Sequence, residues 1–200
     1  DLCAETLGWG MANNLAKLSD RQQQQITVLQ QDVRTLNSPR VDVVAAQNFS
    51  FWLFKTRAAV IGYFKTVRQN LNDQGVFVMD MMGGGDCYTE DLTEKRKIRK
   101  GKNGFSYHWE QATFNPVNAD CSYYIHFRFA DGSKLKRAFE YHWRLWTVPE
   151  VLEMLFEAGF GTAKTYWETE DENGEDTGEW AVQTSVTSNA SWLCYVVATP

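Results

Sequence analysis

The sequence predicts an α/β domain: a mostly parallel sheet with an antiparallel C-terminal strand pair, carrying an antiparallel, aromatic-rich β insert. Three observations predict it. Helical and strand-like periodicities alternate through the first 82 residues, the pattern of βα units. Three aromatic stretches of period two follow, "FSYHWEQATF", "CSYYIHFRFA" and "KLKRAFEYHW". A capped helix and two more strand-like runs close the chain.

Each element rests on its own residues. In "AETLGWGMANNLAKL", Leu7, Met11, Leu15 and Leu18 recur at helical spacing. The Gln-rich "RQQQQ" reads as a polar connector, and "ITVLQQD" as a strand ending at Asp32. After the turn "LNSPR", residues 41–47 read as a buried strand that stops on Gln47, Asn48, Phe49 and Ser50. A strand that merely turns is more often punctuated by Gly, Pro or Asp. One that delivers its last residues to a ligand has reason to end this way, because open α/β sheets bind ligands beyond the carboxyl ends of their strands. From about Lys55 to Leu71, the spacing of Val60, Phe64, Val67 and Leu71 predicts an amphipathic helix, stopped at "NDQG". "VFVMDMM" (76–82) is the next buried strand, followed by Gly83-Gly84-Gly85.

In the middle aromatic stretch, Ile125, Phe127 and Phe129 share one face, while Tyr124, His126 and Arg128 share the other. Thr147 and Glu150 have capping-box spacing with Pro149 between them. They open a helix whose apolar face is Val151, Leu152, Leu155 and Phe156, and Gly159 stops it. "TAKTYWE" and "SWLCYVVAT" are the closing strands, with the acidic "ETEDENGEDTGE" as a solvated hairpin connection. The basic run "EKRKIRK" (94–100) reads as a solvated loop or helix face.

Composition sets the outer bounds. With 200 residues, 44% of them hydrophobic, the chain can build one domain with a substantial core. A net charge of −5 argues against a nucleic-acid partner. Cys3, Cys87, Cys121 and Cys194 lie far apart with no CxxC, which argues against a zinc motif and fits a reduced, cytoplasmic protein. No apolar stretch approaches the ~20 residues that span a bilayer, so no membrane partner is expected.

The order of elements resembles the class I S-adenosylmethionine-dependent methyltransferases, from their second strand onward. Asp1 in "DLCAETLGWG" stands where that family has the acidic residue ending strand two, and Asp32 in "QQDVRTL" where it has the one ending strand three. "VDVVAAQNFSF" is similar to strand four and its ligand-facing exit, and "RLWTVPEVLEMLFEAGF" to the late helix. The resemblance implies a Rossmann-like methyltransferase sheet with S-adenosyl-L-methionine as cofactor. Asp1, with Leu2 beside it, would hold the ribose. Asp32 would accept from the adenine amino group while Val33 offers its backbone, and Asn48 and Phe49 would line the methyl-donor end and the adenosine edge. The family's first strand and glycine-rich loop have no counterpart here. The expectation is one methyltransferase-like domain over 1–200, N-terminally truncated, with 105–146 as a β lid insert, and inactive by itself.

The implied activity is methyl transfer, in line, to a nitrogen, oxygen or sulfur of a small molecule held under the lid, with no metal required. A Tyr-His-Trp triplet occurs twice in the insert, which makes Tyr107, His108 and His142 the catalytic candidates. A histidine can act as general base near neutral pH, and aromatic faces can hold a sulfonium or an amine. The same aromatics can instead form the insert's own core, with His142 and Arg144 as its hydrogen-bonded rim. Two other functions fit the elements: a nicotinamide-dependent Rossmann oxidoreductase, and a non-catalytic methyltransferase-like binding module. No residue pattern sets the methyl acceptor or an oligomeric state.

Overall fold

Alternating apolar residues build two sheets that share one aromatic core. The computed structural model describes residues 1–35, 38–98 and 104–200. In chain order these form α1 (Ala4–Asn13), α2 (Asp20–Gln23), β1 (Val41–Ala46), α3 (Arg57–Gln69), β2 (Leu71–Gly83) and β3 (Leu92–Ile98). Then come β4 (Phe105–Asn115), β5 (Asp120–Phe129), β6 (Lys134–Arg144), α4 (Val148–Glu157), β7 (Thr162–Glu170), β8 (Asp176–Val182) and β9 (Trp192–Thr199). One sheet has the order β1-β2-β9-β7-β8 and the other β3-β4-β5-β6.

In the first sheet β1 and β2 are parallel, joined through α3. Phe77, Met79 and Met81 of β2 and Cys194, Val196 and Ala198 of β9 alternate into the core. There they meet Val60, Phe64 and Val67 of α3 and Val151, Met154 and Leu155 of α4. Each such large side chain contributes about 1.5–3 kcal/mol on burial. Both long helices start where their caps say. Thr56 Oγ1 accepts from the Ala59 N–H at 3.2 Å, and Glu150 accepts from the Thr147 N–H at 2.9 Å. Gly159, at φ +96°, ends α4 in a conformation that favours glycine.

Several expectations need correction. "ITVLQQD" forms no strand. Its backbone meets the chain start, with Gln31 N–H to the Asp1 carbonyl at 3.1 Å, while Ile26, Val28 and Leu29 are exposed. Its backbone bonds go to the chain start rather than to a strand, so no ladder forms. The first sheet is therefore mixed rather than mostly parallel: among the described residues it has one parallel pair and three antiparallel pairs. The antiparallel C-terminal pair is present as β7 and β9. The Gln-rich connector begins with the short helix α2, because the Gln22 side chain accepts from the Ser19 N–H at 3.1 Å and starts a helical turn.

The basic run is an edge strand. Up to Ile98 it pairs residue for residue with β4, and its lysines suit an exposed edge; Arg99 and Lys100 lie outside the described residues, as do Leu36 and Asn37 of the expected turn. The insert therefore has a fourth strand. On α4 the buried face is centred on Val151, Met154 and Leu155, which turns Phe156 outward to 51% exposure. Much of the acidic stretch lies within β7 and β8, so only its middle is a turn and the sheet gains an edge strand. Among the described residues, no helix is long and apolar enough to cross a membrane.

Candidate functional site at the exit of β1

The residues after β1 adopt a backbone that needs holding. Asn48 and Phe49 both have left-handed φ, +61° and +54°, a conformation costing a non-glycine residue about 1–2 kcal/mol. Asn tolerates it best. What holds them is Asp80, a buried carboxylate in the C-terminal half of β2. Its Oδ2 accepts from the Asn48 N–H at 2.8 Å and its Oδ1 from the Phe49 N–H at 2.9 Å. Both carboxylate oxygens are engaged, which offsets the cost of burying the charge. The strand ends on polar residues because this turn is built by a neighbour's carboxylate rather than by a local Gly or Pro.

Aromatic rings extend from that turn into the second sheet. Phe49 lies 5.5 Å from Trp52 and 6.0 Å from Trp143, ring centre to ring centre. On the same face of the second sheet, Tyr123 and Tyr141 lie 5.9 and 4.4 Å from Trp143, and Trp109 lies 5.2 Å from Tyr123. The Tyr123 hydroxyl donates to the Cys87 carbonyl at 2.8 Å. Trp146 Nε1 donates to the Phe54 carbonyl at 3.2 Å, and the Arg144 guanidinium lies 3.8 Å over the Trp146 ring. The second sheet is thus fastened to the segments leaving β1 and β2.

A cavity of about 610 Å³ opens there, walled by Trp52, Trp146, Trp167 and Trp192 and by the segment Gln183–Ser188, rich in Ser and Thr. Its floor includes Met82 and Gly83. Two of the three glycines have a packing role. A Cβ on Gly83 would fall 2.0 Å from the Trp192 ring, and one on Gly84 2.3 Å from the Ala190 carbonyl oxygen. The indole N–H of Trp52 is buried and has no hydrogen-bond partner among the described residues.

Burial decides the state of the thiols. It pushes Cys87 and Cys121 up to about 11 and Cys194 up to about 12. All three are protonated at neutral pH and serve as packing groups. Among the described residues, no group of three or more His, Cys, Asp or Glu could hold a metal ion.

The structure brings some predicted residues together and separates others. Asp1 and Leu2 lie beside residues 29–31, and the Asp1 carboxylate accepts from the Cys3 N–H at 2.7 Å. Leu2 and Val33 are exposed. Asp32 grips its neighbour: Arg34 Nη2 reaches Oδ2 at 2.6 Å and the Arg34 N–H reaches Oδ1 at 2.9 Å. The Arg34 side chain is the main cause that lowers the Asp32 carboxyl from 3.8 to about 2. The stabilisation this gives is present above about pH 4 and is lost as pH falls through about 2. Arg34→Ala should return the Asp32 titration towards 3.8, read by carboxyl carbon NMR. A titration still near 2 would assign the shift to the backbone bond alone.

The three catalytic candidates do not converge. Tyr107 points to the face carrying Trp109 and Tyr123, where it lines a smaller cavity of about 360 Å³ with Met82 and Asp86. His108 and His142 lie on the opposite face. There His142 Nδ1 meets Ser122 Oγ at 3.1 Å, and His108 stands between Lys95 and His126 across the strands. Asp80 and Trp52 were not among the candidates. The signal for Asp80 was present, a single carboxylate inside the apolar "VFVMDMM".

No family model and no curated protein matches the chain. Its fold is nonetheless that of S-adenosylmethionine-dependent methyltransferases of known structure. It matches such an enzyme from Clostridium acetobutylicum at a TM-score of 0.65 and 16% identity, over 100% of this chain and 72% of that one. It matches DesVI from Streptomyces venezuelae at 0.69 and 13%, over 100% and 72%. The glycopeptide N-methyltransferase MtfA, complexed with S-adenosylhomocysteine, matches at 0.56 and 16%, over 100% and 71%.

Proposed function

We propose that the protein is an S-adenosylmethionine-dependent methyltransferase acting on a small-molecule nucleophile, within a Rossmann-like arrangement whose crossover unit is β1-α3-β2. One observation carries the reading. The exit of β1 is held in a left-handed turn by Asp80, at the sheet end where α/β folds bind ligands, and it opens beside an aromatic cavity. Asn48 and Phe49 would line the methyl-donor end of the cofactor. Asp1 with Leu2, and Asp32 with Val33, lie on neighbouring segments and would meet its ribose and adenine. Bound there, S-adenosylmethionine supplies an electrophilic methyl group.

The chain's own contribution is position and shielding. The second sheet acts as the lid: Trp143, Tyr141 and Tyr123 cover the β1 exit and exclude water, and their faces favour a cation. The acceptor would occupy the cavity between the indoles and the hydroxyls of 183–188. A glycopeptide N-methyltransferase among the structural neighbours favours nitrogen as the accepting atom. Of the three candidate catalytic side chains, Tyr107 is the one on the covered face.

Ultraviolet crosslinking with methyl-tritiated S-adenosylmethionine tests the reading. Label should be retained, be lost with excess S-adenosylhomocysteine and be indifferent to NADH. Absence of labelling, or competition by NADH, would overturn the assignment. Label transfer to small amines distinguishes an enzyme from a binding module.

A further inference from the structure

We propose that the outer face of the second sheet is a binding groove for a phosphate-bearing ligand, separate from the cavity at the β1 exit. The groove is a concavity of about 710 Å³ across all four strands, within the size range of small-molecule sites. Five cations line it: Lys95, Arg128, Lys134, Lys136 and Arg137. None of the five stands in an ion pair among the described residues. The lone carboxylate in the lining, Glu110, is engaged by His126 Nε2 at 2.7 Å. In a chain of net charge −5, that is a strong local concentration of unneutralised positive charge.

The register makes it costly. Arg128 and Lys134 are direct cross-strand partners. Like charges placed opposite one another destabilise a sheet pair. An anion bound over them removes that repulsion, and so stabilises the folded protein by linkage. His108 already responds to the crowding. Its pKa is lowered by burial first, then by Lys95, His126, Arg128 and Lys134.

A bulge aims the groove. Ile125 pairs with Phe139 and Phe127 with Leu135, so residues 136–138 stand opposite the single residue His126. Bulges re-aim side chains next to functional sites. Arg137 sits at this one with φ +48°, a strained conformation for a non-glycine residue. It is held by its N–H to His126 Nδ1 at 3.1 Å and by its guanidinium 4.2 Å over the Tyr124 ring. The first of these bonds makes Nδ1 an acceptor and puts the imidazole proton on Nε2, towards Glu110. Two arginines among three lysines suit a ligand with several phosphate oxygens, since guanidinium forks match phosphate and lysines add point charge.

Inorganic pyrophosphate is the probe. Calorimetry on the full chain should give one saturable site, and the melting temperature should rise with pyrophosphate. The double variant Arg128→Ala/Lys134→Ala should melt higher than wild type without ligand, because the facing charges are gone. It should also lose at least 10-fold in affinity and most of the melting response. Lys65→Ala on α3 should behave as wild type. No binding at millimolar pyrophosphate, or full binding by the double variant, would overturn the proposal. Tighter binding of a single-stranded oligonucleotide than of pyrophosphate, falling steeply with salt, would overturn it in favour of a nucleic-acid surface.

Discussion

Asp80→Ala should cost about 3 kcal/mol of stability and open the exit of β1. Two backbone N–H groups lose a charged acceptor at once, and leaving a buried donor unpaired costs about 1–3 kcal/mol. The left-handed pair Asn48 and Phe49 then has nothing to offset its own backbone cost. Asp80→Asn is the informative companion, since a carboxamide oxygen can accept only where its nitrogen does not clash with a second donor. It should fall between wild type and alanine. Urea unfolding gives the free energies, and amide chemical shifts of Asn48 and Phe49 report the turn directly. If the alanine variant is as stable as wild type with those shifts unchanged, local sequence alone holds the turn. Under the proposed function, S-adenosylhomocysteine affinity should fall in the same order as the turn loosens.

Trp143→Ala is the second large effect, and it acts on the joint between the sheets. Trp143 is 3% exposed and contacts rings from both sides: Phe49 and Trp52 after β1, Tyr123 and Tyr141 on its own sheet. Removing a buried Trp side chain leaves a cavity and costs about 3–5 kcal/mol. The loss should be local in character. Hydrogen exchange should accelerate in β5 and β6 while the amides of β2 and β9 keep their protection. Trp143→Phe, which keeps a ring in place, should restore part of the stability. Equal acceleration through both sheets would show that the two form a single cooperative unit with no weak joint.

The elements with a strong period were legible from the residues alone. The alternation of Phe77, Met79 and Met81, the helical spacing of Val60, Phe64 and Val67, and the Thr147–Glu150 cap each carry their own physics within a few residues. What was not legible depends on neighbours distant in the chain. "ITVLQQD" has strand composition, but its backbone bonds to the chain start instead of to a strand, and composition cannot show which partner it takes. The basic run became a strand because β4 lies beside it.

The site divides in the same way. Gln47, Asn48 and Phe49 announced an unusual exit, but the residue that builds it, Asp80, lies 31 and 32 positions away from its partners. The repeated Tyr-His-Trp triplet looked like one chemical unit. Period-two alternation places Tyr107 on the covered face, with His108 and His142 on the other.

The acidic hairpin has a consequence of its own. Residues 168–179 carry seven carboxylates and no cation, more than the whole net charge of −5. They extend the far edge of the first sheet, while the basic groove lies on the second. Charge of opposite sign is therefore concentrated in two separate places, and the pI of about 5.3 describes neither. Approaching a charged surface, it turns before it touches. A negatively charged resin at neutral pH and low salt meets the groove, and a positively charged one meets the hairpin.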